Sequence, residues 1–380
     1  MEVSRMANEC KLRKEKYIDA SIGVLKNNQH ELISFRIIEK LLKININNQT
    51  CNYSSILGSN EFNEEMCRWV FKRKLTCYHS SGFVMGATAA LSFAFNKYCH
   101  NKVLILPSLR WPNYDLIAKR NDLKLIEYEM IDKNQKFNID GLKITLERQY
   151  GDFSILINDP CSNPLGYTIT FDEWNKILTL IKKETQTRKI TLILDLAYLD
   201  FTFSDYSNIF KLMEDNLSEN FDIIACYSFS KSFSLYGYRG GIVIGLFDSF
   251  EKENEFNNRL KFFIRSTWSS CNNLLTTVVS QVLKNKTLRK LIELKQCNNR
   301  YLLKNRIDYF NKIATQYNVK YFEFYEGFFV YLKFLDADKM YKYLLDKKIF
   351  VIPFNDGIRI SIASINKKEI LLILKEINNI

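Results

Sequence analysis

The segment Ser228-Phe-Ser-Lys-Ser-Phe-Ser-Leu-Tyr-Gly-Tyr-Arg-Gly-Gly241 gathers hydroxyl groups, one lysine and one arginine after the apolar run Ile223–Tyr227. Ser228 and Arg239 suit a phosphate, since a guanidinium offers forked donors and a serine hydroxyl adds a neutral one. Lys231, just past the end of a buried strand, is placed to form an imine with a carbonyl cofactor. The alternative is a solvated lysine in a serine-rich turn. Thr191-Leu-Ile-Leu-Asp-Leu-Ala-Tyr198 ends a second apolar run in Asp195, with Tyr198 three residues on. An acid there is costly unless it meets a cation or a protonated ring nitrogen. In Asp159-Pro-Cys-Ser-Asn-Pro-Leu-Gly166 a proline-restricted turn fixes the amide of Asn163. Leu106-Pro-Ser-Leu-Arg-Trp-Pro-Asn113 presents Trp111 in a similar loop. Val84-Met-Gly-Ala-Thr-Ala-Ala-Leu91 opens a helix at Gly86, Ala87 and Thr88, where free backbone N–H groups favour an anion.

These loops need a common edge, and the surrounding pattern supplies one. Strand-length apolar runs fall at Val103–Leu106, Leu123–Tyr128, Ser154–Ile157, Thr191–Leu194, Ile223–Tyr227 and Gly241–Leu246. Helix-period segments such as Ala87–Tyr98, Phe171–Glu184 and Ser207–Leu217 lie between several of them. Strands apolar on both faces and separated by helices predict an α/β fold with a covered, mainly parallel sheet. Beyond about residue 285 the texture changes. A long helix, Thr287–Gln316, leads to Tyr321–Phe324, Gly327–Phe334, a helix near Asp336–Asp346, then Ile349–Ile352, Ile358–Ile362 and a last helix. That reads as a smaller α+β domain, with no Pro- or Gly-rich linker before it.

Composition excludes several classes. With 5 Pro and 13 Gly in 380 residues, collagen-like and linker-rich chains are ruled out. The 9 cysteines form no CxxC pair and the 3 histidines no ligand spacing, so a disulfide framework, a zinc site and a Ser-His-Asp triad find no support. Dispersed thiols suit a reduced, cytoplasmic protein. The start, Met1–Lys16, is charged and lacks an apolar signal core, and no apolar run reaches a membrane span. The net charge of +12 could draw a nucleic acid, but no nucleic-acid-binding motif accompanies it.

Taken together, the S-x-S-K-x7-R-x-G segment, D-x-A-Y, N-P-x-G and the Trp-Pro-Asn loop resemble the pyridoxal-phosphate-dependent aminotransferases of class I, the aspartate/aromatic group. The resemblance runs from about Ile22 to the C-terminal region. It implies fold type I: a large domain over 30–297, its mainly parallel seven-stranded sheet sandwiched by helices, and a small domain from 1–29 and 298–380. It implies that Lys231 carries pyridoxal 5'-phosphate as an imine and shuttles the substrate proton. Asp195 would pair with the ring nitrogen, Asn163 and Tyr198 with the phenolic oxygen, and Trp111 would stack on the ring. Gly86, Ala87, Thr88, Ser228 and Arg239 would hold the phosphate. Tyr53 would reach it from the neighbouring subunit of a homodimer with shared sites. Arg359, in Gly357-Ile-Arg-Ile-Ser-Ile362, would clamp the substrate α-carboxylate, and Gly23 would line the entrance. Arg265 stands where dicarboxylate-specific members carry an arginine from the partner subunit, yet an Arg-x-x-Trp-Ser run also occurs in members of broader specificity.

Three departures accompany the resemblance. Leu165 precedes the glycine where a threonine is usual, Ala87 replaces a common glycine, and the N-terminal arm is short. The implied activity moves an amino group between an L-amino acid, aspartate/glutamate or aromatic, and a 2-oxo acid by a ping-pong mechanism. The alternatives are another reaction of the same cofactor, β-elimination or decarboxylation, and a non-catalytic binding protein.

Overall fold

The computed structural model describes residues 2–354 and 356–379. Its seven-stranded sheet comprises β1 (Tyr78–Val84), β2 (Val103–Pro107), β3 (Lys124–Tyr128), β4 (Phe153–Asn158), β5 (Ile190–Asp195), β6 (Phe221–Ser228) and β7 (Gly241–Phe247). The spatial order is β1-β7-β6-β5-β4-β2-β3. Strand β7 runs antiparallel to both neighbours, and the remaining pairings are parallel.

Every residue of β4 and β5 is buried, which a strand covered on both faces permits. Side chains alternate between two apolar layers, as the two-residue period of a strand requires. Ile155, Ile157, Leu192 and Leu194 join Trp174 and Ile177 on one face. Leu156, Ile193, Ile224 and Val243 join Ala90, Phe93 and Ala94 of helix Ala87–Tyr98 on the other. Helix Phe171–Glu184 starts on a capping box between Thr170 and Glu173, which satisfies two otherwise orphaned N–H groups. Strand β1 escaped the sequence reading. Its first half is polar because it is an edge strand, paired only with β7 and exposed or half-exposed over Tyr78–Ser80.

The smaller unit holds an antiparallel sheet, β8 (Phe329–Lys333), β9 (Ile352–Phe354) and β10 (Gly357–Ser361), in the order β9-β10-β8. Two expectations are corrected here. Tyr321–Phe324 forms no strand, and the expected strand Ile349–Ile352 is divided. Ile349–Phe350 pairs in parallel with Ile18–Asp19, whereas Ile352–Phe354 pairs with β10. The chain changes partner at Val351, which apolar pattern alone does not mark. The N-terminal segment is a helix, Glu2–Leu12, whose Val3 and Ala7 pack on Phe350. Helix Lys286–Gln316 spans 31 residues; Ile292 packs with the large sheet and Leu303, Ile307 and Phe310 with the smaller unit. Among the described residues, no helix is long and apolar enough to cross a membrane, and no group of three His, Cys, Asp or Glu could hold a metal ion.

Candidate active site

The sheet brings the separated motifs to one edge. Asn158 is in register with Asp195, Asp195 with Cys226, Ser228 with Gly241, and Gly241 with Val84. The loops that leave or enter these positions surround a cavity of about 340 Å³. Of the residues singled out in the sequence, Gly23, Ala87, Thr88, Trp111, Asn163, Asp195, Tyr198, Ser228, Lys231, Arg239 and Arg359 line it.

Lys231 sits in the short helix Phe229–Ser232, directly after β6. Burial pushes its ammonium down to about 8, with Arg239 and Arg359 acting in the same direction and Asp195 against it. A sizeable neutral fraction is thus within reach near neutrality, as an amine nucleophile requires. Its Nζ stands 5.4 Å from the Tyr198 ring centroid. Asp195, 3% exposed, accepts from Tyr114 Oη at 2.6 Å on Oδ2 and from the Ala197 N–H at 3.0 Å on Oδ1. Burial raises its carboxyl above the ordinary value; the two donors and the Lys231 charge oppose that.

Arg359 lies on β10, 7% exposed. Nη1 donates to Asn163 Oδ1 at 2.9 Å, Nη2 to the Ser21 carbonyl at 2.7 Å, and the guanidinium lies 4.2 Å from the Phe329 ring centroid. Its Nε is buried without a partner, and among the described residues no carboxylate pairs with it. Burial pushes it down to about 10. A buried guanidinium without a counter-charge is a strong site for an incoming carboxylate. Because Asn163 uses Oδ1 to hold Arg359, its NH2 group is the part that can donate to another ligand.

Arg239, which lines the cavity, donates from Nη1 to Ser230 Oγ at 3.2 Å and to the Tyr236 carbonyl at 3.0 Å. Gly86 does not line the cavity, and its N–H is given to the Val84 carbonyl at 2.7 Å. Its contribution is shape. It has φ +81°, and a Cβ there would stand 2.7 Å from Arg239 Nη2. Ala87 and Thr88, in the first helical turn, keep N–H groups with no intrahelical acceptor. At Gly23 a Cβ would stand 2.7 Å from Phe329 Cζ, so a side chain there would have to displace the Phe329 ring that lines the same cavity.

Tyr53 and Arg265 are not brought into the cavity. Tyr53 is 88% exposed, and Arg265, at the end of helix Phe250–Arg265, is exposed and bonded to Ser269 Oγ at 2.9 Å. Their segments are nevertheless tied together, since Asn273 Nδ2 donates to the Asn52 carbonyl and Cys271 Sγ to Ser54 Oγ. Sequence reasoning missed Tyr114, Asn158, Ser230 and Phe329, which also line the cavity. Ser230 lay inside a motif already noted. Tyr114 follows the Trp-Pro-Asn loop directly, but nothing in its spacing points to Asp195.

The fold and this site define a pyridoxal-phosphate-dependent transaminase class. A family model described as "Aminotransferase class I and II" matches residues 15–377, and the chain belongs to that family. It is 23% identical over 376 residues to an aspartate aminotransferase of Pseudomonas aeruginosa, covering 95% of this chain and 92% of that protein. It is 25% identical over 211 residues to the aromatic-amino-acid aminotransferase of the same organism, an alignment spanning 51% of that protein's length. A solved aminotransferase from Anaerococcus prevotii superposes with TM-score 0.94 at 26% identity, covering 100% of this chain and 95% of its own. A mitochondrial aspartate aminotransferase from Trypanosoma brucei shares the fold, with TM-score 0.85 at 20% identity and coverage of 98% and 99%.

The residues present fit the family's cofactor. A desolvated lysine amine faces the cavity, a buried carboxylate lacks a hydrogen-bonded cation, and the missing Cβ of Gly86 leaves Arg239 at a helix start.

Proposed function

We propose that the protein transfers an amino group between an L-amino acid, aspartate/glutamate or aromatic, and a 2-oxo acid in a ping-pong cycle. The observation that carries this reading is the combination of the desolvated Lys231, the buried Asp195 and the unpaired Arg359 around one cavity. When bound, pyridoxal phosphate supplies an electron sink for the carbanion at the substrate Cα. Lys231 holds the cofactor and then moves the proton to and from Cα. Asp195 would keep a proton on the ring nitrogen by ion pairing. Asn163 and Tyr198 would donate toward the phenolic oxygen, and Trp111 would cover the ring face. Ala87, Thr88, Ser228 and Arg239 would hold the phosphate, while Arg359 would orient the substrate through its α-carboxylate beside Gly23.

This reading includes a cytoplasmic homodimer whose partner copy supplies Tyr53 to the phosphate and Arg265 to the substrate side chain. The exposure of both residues and the tie between their segments support it. It also divides the chain into a large domain, 30–297, and a small one, 1–29 with 298–380. The packing of helix Lys286–Gln316 against both apolar clusters agrees with that division.

The test is a panel of amino acids added to the cofactor-loaded protein, followed by the visible spectrum of the cofactor. A spectral change on adding glutamate, reversed by 2-oxoglutarate, is the expected result. Release of ammonia or carbon dioxide in place of a 2-oxo acid would overturn it in favour of another reaction of the cofactor. The Arg265→Ala variant should lose about tenfold or more of its activity toward aspartate and glutamate relative to aromatic substrates. Uniform behaviour would remove Arg265 from the substrate site.

A further inference from the structure

Tyr114 is the second residue of helix Asn113–Arg120, which begins immediately after the Trp111-Pro112 turn. It is 1% exposed. Its hydroxyl donates to Asp195 Oδ2 at 2.6 Å, and its ring meets the Trp111 indole edge-on, with centroids 5.4 Å apart at 90°. Its backbone N–H donates to the Trp111 carbonyl at 3.0 Å. One residue therefore touches both the acid and the aromatic ring that the proposed function assigns to opposite aspects of the cofactor. The titratable groups that face Asp195 are Tyr114, Tyr198, Lys231 and Cys226.

We propose that Tyr114 is a positioning residue that keeps Asp195 ionised and aimed, acting as a neutral hydroxyl donor fixed against Trp111. The inference rests on the proposed function. Two properties support it. First, a buried carboxylate needs donors to stay charged, and among the described residues only Tyr114 and the Ala197 N–H hydrogen-bond to this one. Both are neutral, so they stabilise the anion without cancelling its charge, and each oxygen retains a lone pair for a further donor. A cationic partner in their place would compete with a protonated ring nitrogen for the same charge. Second, burial and the adjacent Asp195 push the Tyr114 phenol well above its ordinary value. The hydroxyl therefore stays protonated and can only donate to the acid.

The test compares the wild type with Tyr114→Phe, Asp195→Asn and the double variant, each as the full chain. Cofactor dissociation is measured by fluorescence quenching, and the absorbance of the bound cofactor is followed across pH. Loss of one hydrogen bond to a charged group predicts that Tyr114→Phe weakens cofactor binding by about 10- to 100-fold. It should also displace the pH midpoint of the cofactor spectrum. In the Asp195→Asn background the same change should weaken binding by less than about threefold, because the charge it supports is gone. Equal losses in both backgrounds, or a wild-type pH curve in Tyr114→Phe, would overturn the proposal and leave Tyr114 a packing residue. Should Tyr114→Phe fail to fold, Tyr114→His provides the second route. An imidazole titrating near neutrality should add an inflection to the spectrum-against-pH curve, and its absence would also count against the role. Failure of the wild type to bind pyridoxal phosphate at all would instead sink the proposed function.

Discussion

Asp159 and Asp195 lie at the ends of neighbouring strands, one residue after β4 and the last residue of β5, and both are almost fully buried. Their surroundings differ. Asp159 accepts from the Ile169 N–H at 2.8 Å, from Trp174 Nε1 at 2.9 Å and from the Tyr206 hydroxyl. Those donors come from the loop and two helices that follow β4 and β5, so Asp159 staples the turn that carries Asn163. It does not line the cavity. Burial pushes its carboxyl up to about 7 despite the three donors. Asp195 has fewer partners, faces Lys231 and borders the cavity. One acid is held by three protein donors away from the cavity, whereas the other has two and borders the cavity beside Lys231. Burial alone does not distinguish them; the number of donors and access to the cavity do.

The sharpest break of this contrast is in activity. Lys231→Ala, on the cavity side, should lower turnover by about 10⁴-fold, because the amine proposed to move the substrate proton would be gone. Steady-state assays with supplied cofactor measure it. Asp195→Asn should follow, with kcat/KM falling by about 10²- to 10³-fold while the unfolding midpoint hardly changes, since the amide keeps the shape and loses the charge. Asp159→Asn should invert the pattern. It costs about 1–2 kcal/mol in urea unfolding through a mismatched donor, with kcat changed by less than about threefold. A large loss of kcat in Asp159→Asn with unchanged stability would erase the distinction.

A further effect lies in pH. The folded Asp159 carboxyl titrates near 7, above the ordinary 3.8, so between those values the native state binds more protons than the unfolded one. Its contribution to stability is therefore greatest at low pH and declines as pH rises through about 7. Urea midpoints measured from pH 5 to 8 should fall more steeply for the wild type than for Asp159→Asn, and parallel curves would refute the assignment.

Legibility followed the same division. Strands β4, β5 and β6 and helices Ala87–Tyr98 and Phe171–Glu184 were readable because double-sided burial and helical period leave a local imprint. Motifs such as Asn163-Pro-Leu-Gly166 and Ser228–Lys231 were readable because turn geometry and reactive types are confined to a few adjacent residues. The half-polar edge strand β1 and the partner change at Val351 were not, because their pairing is set by distant segments. Tyr114, Asn158 and Phe329 gave no signal for the same reason. Tyrosine, asparagine and phenylalanine are ordinary until a fold brings them within reach of Asp195 or Arg359.

The sequence by itself determined the class of fold, the family and which residue types could do the chemistry, since these are written in local periodicity and short motifs. The tertiary structure alone decided that Arg239 packs against Gly86, where a Cβ would stand, and that Arg359 lies buried with no acid paired to it among the described residues. It also decided that Asp195 rests on Tyr114 across 81 residues of chain. The physical reason is that desolvation and hydrogen-bond saturation depend on every group packed around an atom, and most of those groups come from elsewhere in the chain.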